Sequence, residues 1–341
     1  MAIRSMVGSM LESAIGRDRT NTIRRAERRA RNALAKGLAV DEPQKPNKKP
    51  SRSPAPMRQP HRYASPQPAQ RPSRWQPPDP FVTHPEPTMT RHELLEVLHE
   101  RTQPRTYLEI GIRTGNSLAI SRARSIGVDP FFKIDKPIHC DVQLIKSTSD
   151  QSSLPARDPP WPLHGVPVDL AFIDGMHLSE FALRDFINVE PFMAGTGVVV
   201  IDDVLPRNGL EAARNRKTEP WTGDVYKVID ILRRRRPDLV VLLVNTAPTG
   251  TAVVVGLDPG STILKDAYAA EEEYLLWPDP QTPPQEFMDR SIAVEPDVLL
   301  ASSAWEQLVA VRESGAFAGL TSVWSELQRL EAAGKQGRCQ T

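Results

Sequence analysis

Apolar positions fall into three regimes along this chain. In residues 1 to about 38, Ile3, Met6, Val7, Met10, Leu11, Ala14 and Ile15 recur at helical spacing, which predicts an amphipathic helix. Between residues 41 and 88 the pattern stops, and 14 of the chain's 33 prolines lie there among Ser, Gln and Lys, as in an extended linker without a core. From Thr90 onward, short apolar runs alternate with stretches of helical period. That alternation predicts an α/β fold with a mostly parallel sheet.

Thr90-Arg-His-Glu93 reads as a capping box, opening a helix with Leu94, Leu95, Val97 and Leu98 on its apolar side. Tyr107, Leu108 and Ile110 suit a first buried strand; residues 125–128 and 141–146 suit the second and third. Residues 168–173 are almost continuously apolar, as expected of a parallel strand covered on both faces, and residues 197–201 give a fifth strand. Between them, the Leu118-Ala119-Ile120 run is expected to start a helix capped by Ser117. Phe181, Leu183, Phe186, Ile187 and Val189 mark another, and Val225, Val228, Ile229 and Leu232 a third. Residues 239–244 and 251–257 are so closely linked that they predict an antiparallel hairpin.

The expected architecture is a doubly wound, Rossmann-like seven-stranded sheet whose antiparallel last strand forms a reversed edge. The expected layout is a basic tail (1–40), a proline-rich disordered linker (41–88), the sheet domain (89–265) and a helical extension (266–341). Residues 267–276 and 305–330 read as helices of that extension, which either cover the sheet or join subunits of a homo-oligomer.

Charge changes this picture. Residues 1–87 hold 17 Lys and Arg against 7 Asp and Glu, or +10, so the rest carries −9 beneath a total of only +1. The arginines of residues 20–36 fit a solvated tail, but equally an arm for nucleic acid or an anionic membrane surface. This leaves a second reading, a nucleic-acid or membrane-surface binding protein whose sheet is a scaffold. Cys140 and Cys339 stand in no metal-ligand spacing and point to a reducing compartment. No apolar run approaches the ~20 residues of a membrane span, and no signal core opens the chain, so a soluble cytoplasmic protein is expected.

Candidate chemistry lies at the strand ends. The first strand runs into Glu109-Ile-Gly111-Ile-Arg-Thr-Gly115-Asn116-Ser117, and the second ends in Asp129, eighteen positions after Gly111. The glycines let the chain pass close to a neighbour, the helix start offers amides to an anion, and an acid at that spacing meets ribose hydroxyls. Arg113 stands where a dinucleotide loop needs glycine, and no Gly-Lys-Ser/Thr follows, so NAD and a Walker loop are both disfavoured. Asp174, Asp202 and Asp203 close the fourth and fifth strands. Together they would make a hard oxygen site suited to Mg²⁺; separately they would be a cap, a solvated acid and an acid held by amides. Trp221 and Tyr226 read either as walls of a pocket or as packing.

The Glu109-x-Gly111-x-x-x-Gly115 pattern resembles motif I of class I S-adenosylmethionine-dependent methyltransferases. The stretches 171–177 and 197–203 are similar to the group that includes macrocin-type sugar O-methyltransferases. The resemblance, over about residues 90–260, implies S-adenosylmethionine as cofactor, held by Glu109, Gly111, Gly115, Asn116, Ser117, Asp129, Ser149, Asp150 and Asp174. It further implies Mg²⁺ on Asp174, Asp202 and Asp203, and a hydroxyl of a small molecule or glycan as methyl acceptor. Catechol-type relatives carry a lysine at the place of His177, which makes His177 the candidate base. Some sugar-modifying members place an aspartate where this chain has Met176, which cannot take a proton.

Overall fold

The structure, a computed structural model, describes residues 80–150 and 165–336. The expectations for the basic tail, most of the linker and Cys339 lie outside the described residues. The described residues all belong to one compact unit.

Seven strands make the central sheet: β1 (Thr106–Ile110), β2 (Arg124–Val128), β3 (Val142–Ile145), β4 (Val168–Ile173), β5 (Met193–Asp202), β6 (Val240–Val244) and β7 (Thr251–Val255). Their order is β3-β2-β1-β4-β5-β7-β6. The first five are mutually parallel, and β7 runs antiparallel to both β5 and β6. The expected α/β, doubly wound, Rossmann-like sheet is therefore present, with its last strand antiparallel. The reversed strand is not the edge, however. β7 slots between β5 and β6, because the hairpin folds back into the gap that β6 leaves when it arrives through a crossover helix.

Helices α1 (Arg91–Thr102), α2 (Ser179–Val189), α3 (Tyr226–Arg235), α4 (Ile263–Leu275), α5 (Gln285–Met288), α6 (Pro296–Leu300), α7 (Ala304–Ser314) and α8 (Leu320–Gln336) surround the sheet. Strand periodicity feeds two cores. Val199 and Ile201 of β5 join Leu183 and Phe186 of α2 and Val228 and Ile229 of α3 on one face. Val198 and Val200 join Leu94 and Leu98 of α1, Trp305 and Leu308 of α7 and Val323 and Leu327 of α8 on the other. The C-terminal helices thus cover the sheet: Trp305 is fully buried and donates its indole N–H to Leu299 O at 2.8 Å. Among the described residues no helix is long and apolar enough to cross a membrane.

A polar residue inside an apolar strand and the polar start of α1 both have partners. Asp169 of β4 accepts from the Arg105 backbone N–H at 3.0 Å and from its guanidinium at 2.7 and 2.9 Å. The capping box forms as expected, with Thr90 and Glu93 each bonding the other's backbone N–H. Just upstream, Met89–Thr90 pairs in parallel with Thr246–Ala247. The entry to α1 is thereby pinned to the far end of the sheet.

One expected helix is absent. Leu118–Ile120 is a single 3-10 turn, and Ser117 makes no cap. Only a short connection separates β1 from β2, and the bends at Arg113 (φ 49°) and Gly115 (φ 85°) use up its length. An α-helical crossover does not fit, so no helix N-terminus offers amides at this place.

Candidate active site

The glycine loop closes over the ends of β1 and β4. A side chain on Gly111 (φ 91°) would place its Cβ 1.9 Å from the Asp174 carbonyl oxygen, so the close neighbour here is the protein's own backbone. Asp174 N–H in turn donates to Ile110 O at 2.8 Å. Gly115 sits against Ile134, and Asn116 beside it is exposed. Glu109 is wholly buried and points inward, accepting from Tyr107 Oη at 2.8 Å and Ser117 Oγ at 2.6 Å. Burial pushes its carboxyl up to about 8, against the two hydroxyl bonds. Glu109 and Ser117 therefore brace the loop from beneath.

Asp129 ends β2 with both oxygens engaged by backbone: Arg113 N–H donates to Oδ2 at 2.8 Å and Phe131 N–H to Oδ1 at 2.6 Å. Each carboxylate oxygen keeps a further lone pair for a ligand hydroxyl. Phe131, which the sequence reading passed over, is 68% exposed beside it. Beyond β3, Ser149 Oγ donates to Asp185 of α2, and Asp150 pairs with Arg184 Nε at 2.9 Å. Burial raises the Asp185 carboxyl to about 7. Its Oδ2 would lie 2.8 Å from a Cβ on Gly175, so Asp185 sits between Ser149 and the turn after Asp174.

The acids after β4 and β5 converge with His177. Asp203 has φ 63°, a left-handed turn that swings its side chain back across the strand end. His177 Nδ1 lies 2.9 Å from Asp203 Oδ2 and 2.6 Å from Trp221 O, and Nε2 lies 3.5 Å from Asp174 Oδ1. Ligand atoms of Asp174, His177 and Asp203 all fall within 4.8 Å of one another. Burial opposes charge on the ring, but Asp203 and Asp174 outweigh it and hold His177 well above its ordinary value. Burial would raise Asp203, yet His177 and the Thr249 hydroxyl keep it low. The Trp221 indole lies parallel to the imidazole, 5.1 Å centre to centre, and stacks on it. Tyr226 instead packs edge-on against Phe287.

Asp202 faces a partner that no strand-end pattern reveals. It is buried, and Arg91 Nε, from the first residue of α1, lies 2.9 Å from its Oδ2. Neither atom makes an aligned hydrogen bond. Burial and the charges of Asp203 and Asp174 push the Asp202 carboxyl well up, with Arg91 only partly offsetting them. A cavity of about 10 Å³ lies among Asp174, His177, Asp202 and Asp203, walled by Ile173, Ala182, Ile201 and Val225. That is room for about one water or ion.

The wall is held from behind. Asp224 accepts from Ser179 N–H at the start of α2 at 2.8 Å, from Arg214 at 2.7 Å and from Lys227 at 2.9 Å. Arg214 also forks onto Glu180 at 2.7 and 3.0 Å. Arg91, Arg214 and Asp224 were not singled out from the sequence. Only the capping box at Thr90 marked where Arg91 would stand.

Residues 108–204 match the protein family described as methyltransferase domain. No curated protein matches the chain in sequence. Similar solved structures include an S-adenosylhomocysteine-bound methyltransferase of Podospora anserina, 15% identical, covering 49% of this chain and 78% of that one with a TM-score of 0.36. Another is a Streptomyces achromogenes O-methyltransferase of tomaymycin synthesis in complex with S-adenosylmethionine, 20% identical, covering 48% and 78% with a TM-score of 0.36. A third is a Bacillus cereus O-methyltransferase in complex with S-adenosylhomocysteine, 16% identical, covering 48% and 80%, again at 0.36. On the family match and its own sheet order, the chain is an enzyme of the class I, Rossmann-like methyltransferase fold.

Proposed function

We propose that this enzyme transfers a methyl group from S-adenosylmethionine to a hydroxyl of a small molecule or glycan, in the manner of macrocin-type O-methyltransferases, with Mg²⁺ assistance. The observation that carries this reading is the meeting of His177 with Asp174 and Asp203 directly beside the Gly111 loop. A proton acceptor, two carboxylates and a ligand-binding loop then share one strand-end crevice.

Asp129 would take the ribose hydroxyls, with Phe131 as an apolar surface for the base. The 111–117 loop would pass the methionyl part, and Ser149 and Asp150 would border the β3 side. S-adenosylmethionine supplies an electrophilic methyl on a sulfonium, so the protein needs only to align an oxygen nucleophile, exclude water and remove its proton. His177 would remove that proton at Nε2 in the neutral form that it takes once the charges of Asp174 and Asp203 are balanced, while Nδ1 stays oriented by Trp221 O and Asp203. The buried Asp202 oxygen without a hydrogen bond, and the ion-sized cavity beside it, suit a divalent cation. Asp174, Asp202 and Asp203 would hold Mg²⁺, which supplies Lewis acidity toward an acceptor hydroxyl.

Methyl-labelled S-adenosylmethionine offered with catechols and glycosides tests the reading. It predicts a labelled methyl ether whose formation falls at least about a hundredfold in His177→Ala or Asp202→Ala, and in chelator. Undiminished transfer in both variants and in chelator would contradict the assigned chemistry.

A further inference from the structure

The acid cluster already contains a cation. Arg91 Nε faces Asp202 at 2.9 Å, and the charges of Asp202, Asp174 and Asp203 together hold the guanidinium firmly ionised against the cost of burial. The contact is not an aligned hydrogen bond on either side. Its position is nevertheless fixed, because the capping box and the Met89–Thr90 pairing anchor the start of α1. The side chain is 25% exposed, which leaves it a way out to solvent. A guanidinium held by charge rather than by bond geometry is easily exchanged for a cation that coordinates the same oxygen.

We propose that Arg91 is a displaceable counter-ion: its guanidinium balances the acid cluster in the ion-free enzyme, and a divalent cation binds by displacing it from Asp202. This rests on the metal reading of the same acids. It predicts that the wild-type arginine weakens metal binding, the opposite of what a structural brace for Asp202 would do.

Mn²⁺ binding to the full-length chain, followed by the electron paramagnetic resonance of free Mn²⁺, tests this in wild type, Arg91→Gln and Arg91→Lys. Removing the charge in Arg91→Gln should tighten Mn²⁺ binding about tenfold or more, while Arg91→Lys stays within about threefold of wild type. Thermal unfolding is the second readout: without ion Arg91→Gln should melt lower than wild type, and Mn²⁺ should raise its midpoint by more. Unchanged or weaker Mn²⁺ binding in Arg91→Gln, with wild type binding normally, would overturn the counter-ion role alone. Binding to none of the three would overturn the metal reading and this inference with it.

Discussion

Residue by residue, the site is built from groups under electrostatic tension, and Glu109 is the plainest of them. It is fully buried between two hydroxyls, with a carboxyl raised from 4.5 to about 8. A carboxyl whose folded pKa is raised contributes stability that is complete below about 4.5 and lost as pH climbs to about 8. Glu109→Gln keeps an acceptor and a donor for Ser117 and Tyr107 without the ionisation. Denaturation midpoints should therefore converge near pH 4.5 and separate by pH 8, the variant being more stable by a few kcal/mol at most, since one unit is worth about 1.4 kcal/mol. Parallel pH dependence in both proteins would show that Glu109 does not titrate. Asp174, Asp202, Asp203 and His177 could be found from sequence because strand ends in an α/β sheet are readable from apolar runs. Arg91 could not: it lies before the motif, and only the fold brings the start of α1 across to Asp202. The tight passage at Gly111 was expected, but its cause, the Asp174 carbonyl, is a contact between distant strands.

At the scale of elements, the segment 204–225 decides whether His177 is walled. Arg214 ties it to α2 through Glu180 and to the end of α4 through Leu275 O at 2.8 Å, and braces Asp224, which accepts from Ser179 N–H at the start of α2. Arg214→Ala leaves those buried acids short of a partner and should cost about 3 kcal/mol, read from chemical denaturation. A loss under about 1 kcal/mol would mean that Lys227, 2.9 Å from Asp224, suffices alone. The strands were legible because their apolar runs are nearly unbroken; residues 168–173 were placed with both bounds correct. The missing crossover helix was not, since Ser117 and the apolar triplet after it look locally like any helix start. Connection length overrode propensity there. The hairpin was likewise legible, but which of its strands lies inward is set by the sheet edge it meets, not by its own residues.

For the molecule as a whole, one sheet with two apolar faces organises every described element. α7 and α8 belong to that packing: Trp305, Val323 and Leu327 are fully buried against the face that α1 also covers. The sequence left these helices open because amphipathic stripes do not name their partner. The crevice at the β1, β2 and β4 ends is thus carried on a scaffold closed on both faces, which suits a preformed ligand site. The central claim is that this crevice holds S-adenosylmethionine, and calorimetric titration with S-adenosylhomocysteine tests it most directly. Wild type should bind with micromolar affinity and Asp129→Ala at least about tenfold more weakly, the loss expected for a carboxylate that takes ligand hydroxyls. No binding by the wild type, or equal binding by both, would contradict the account.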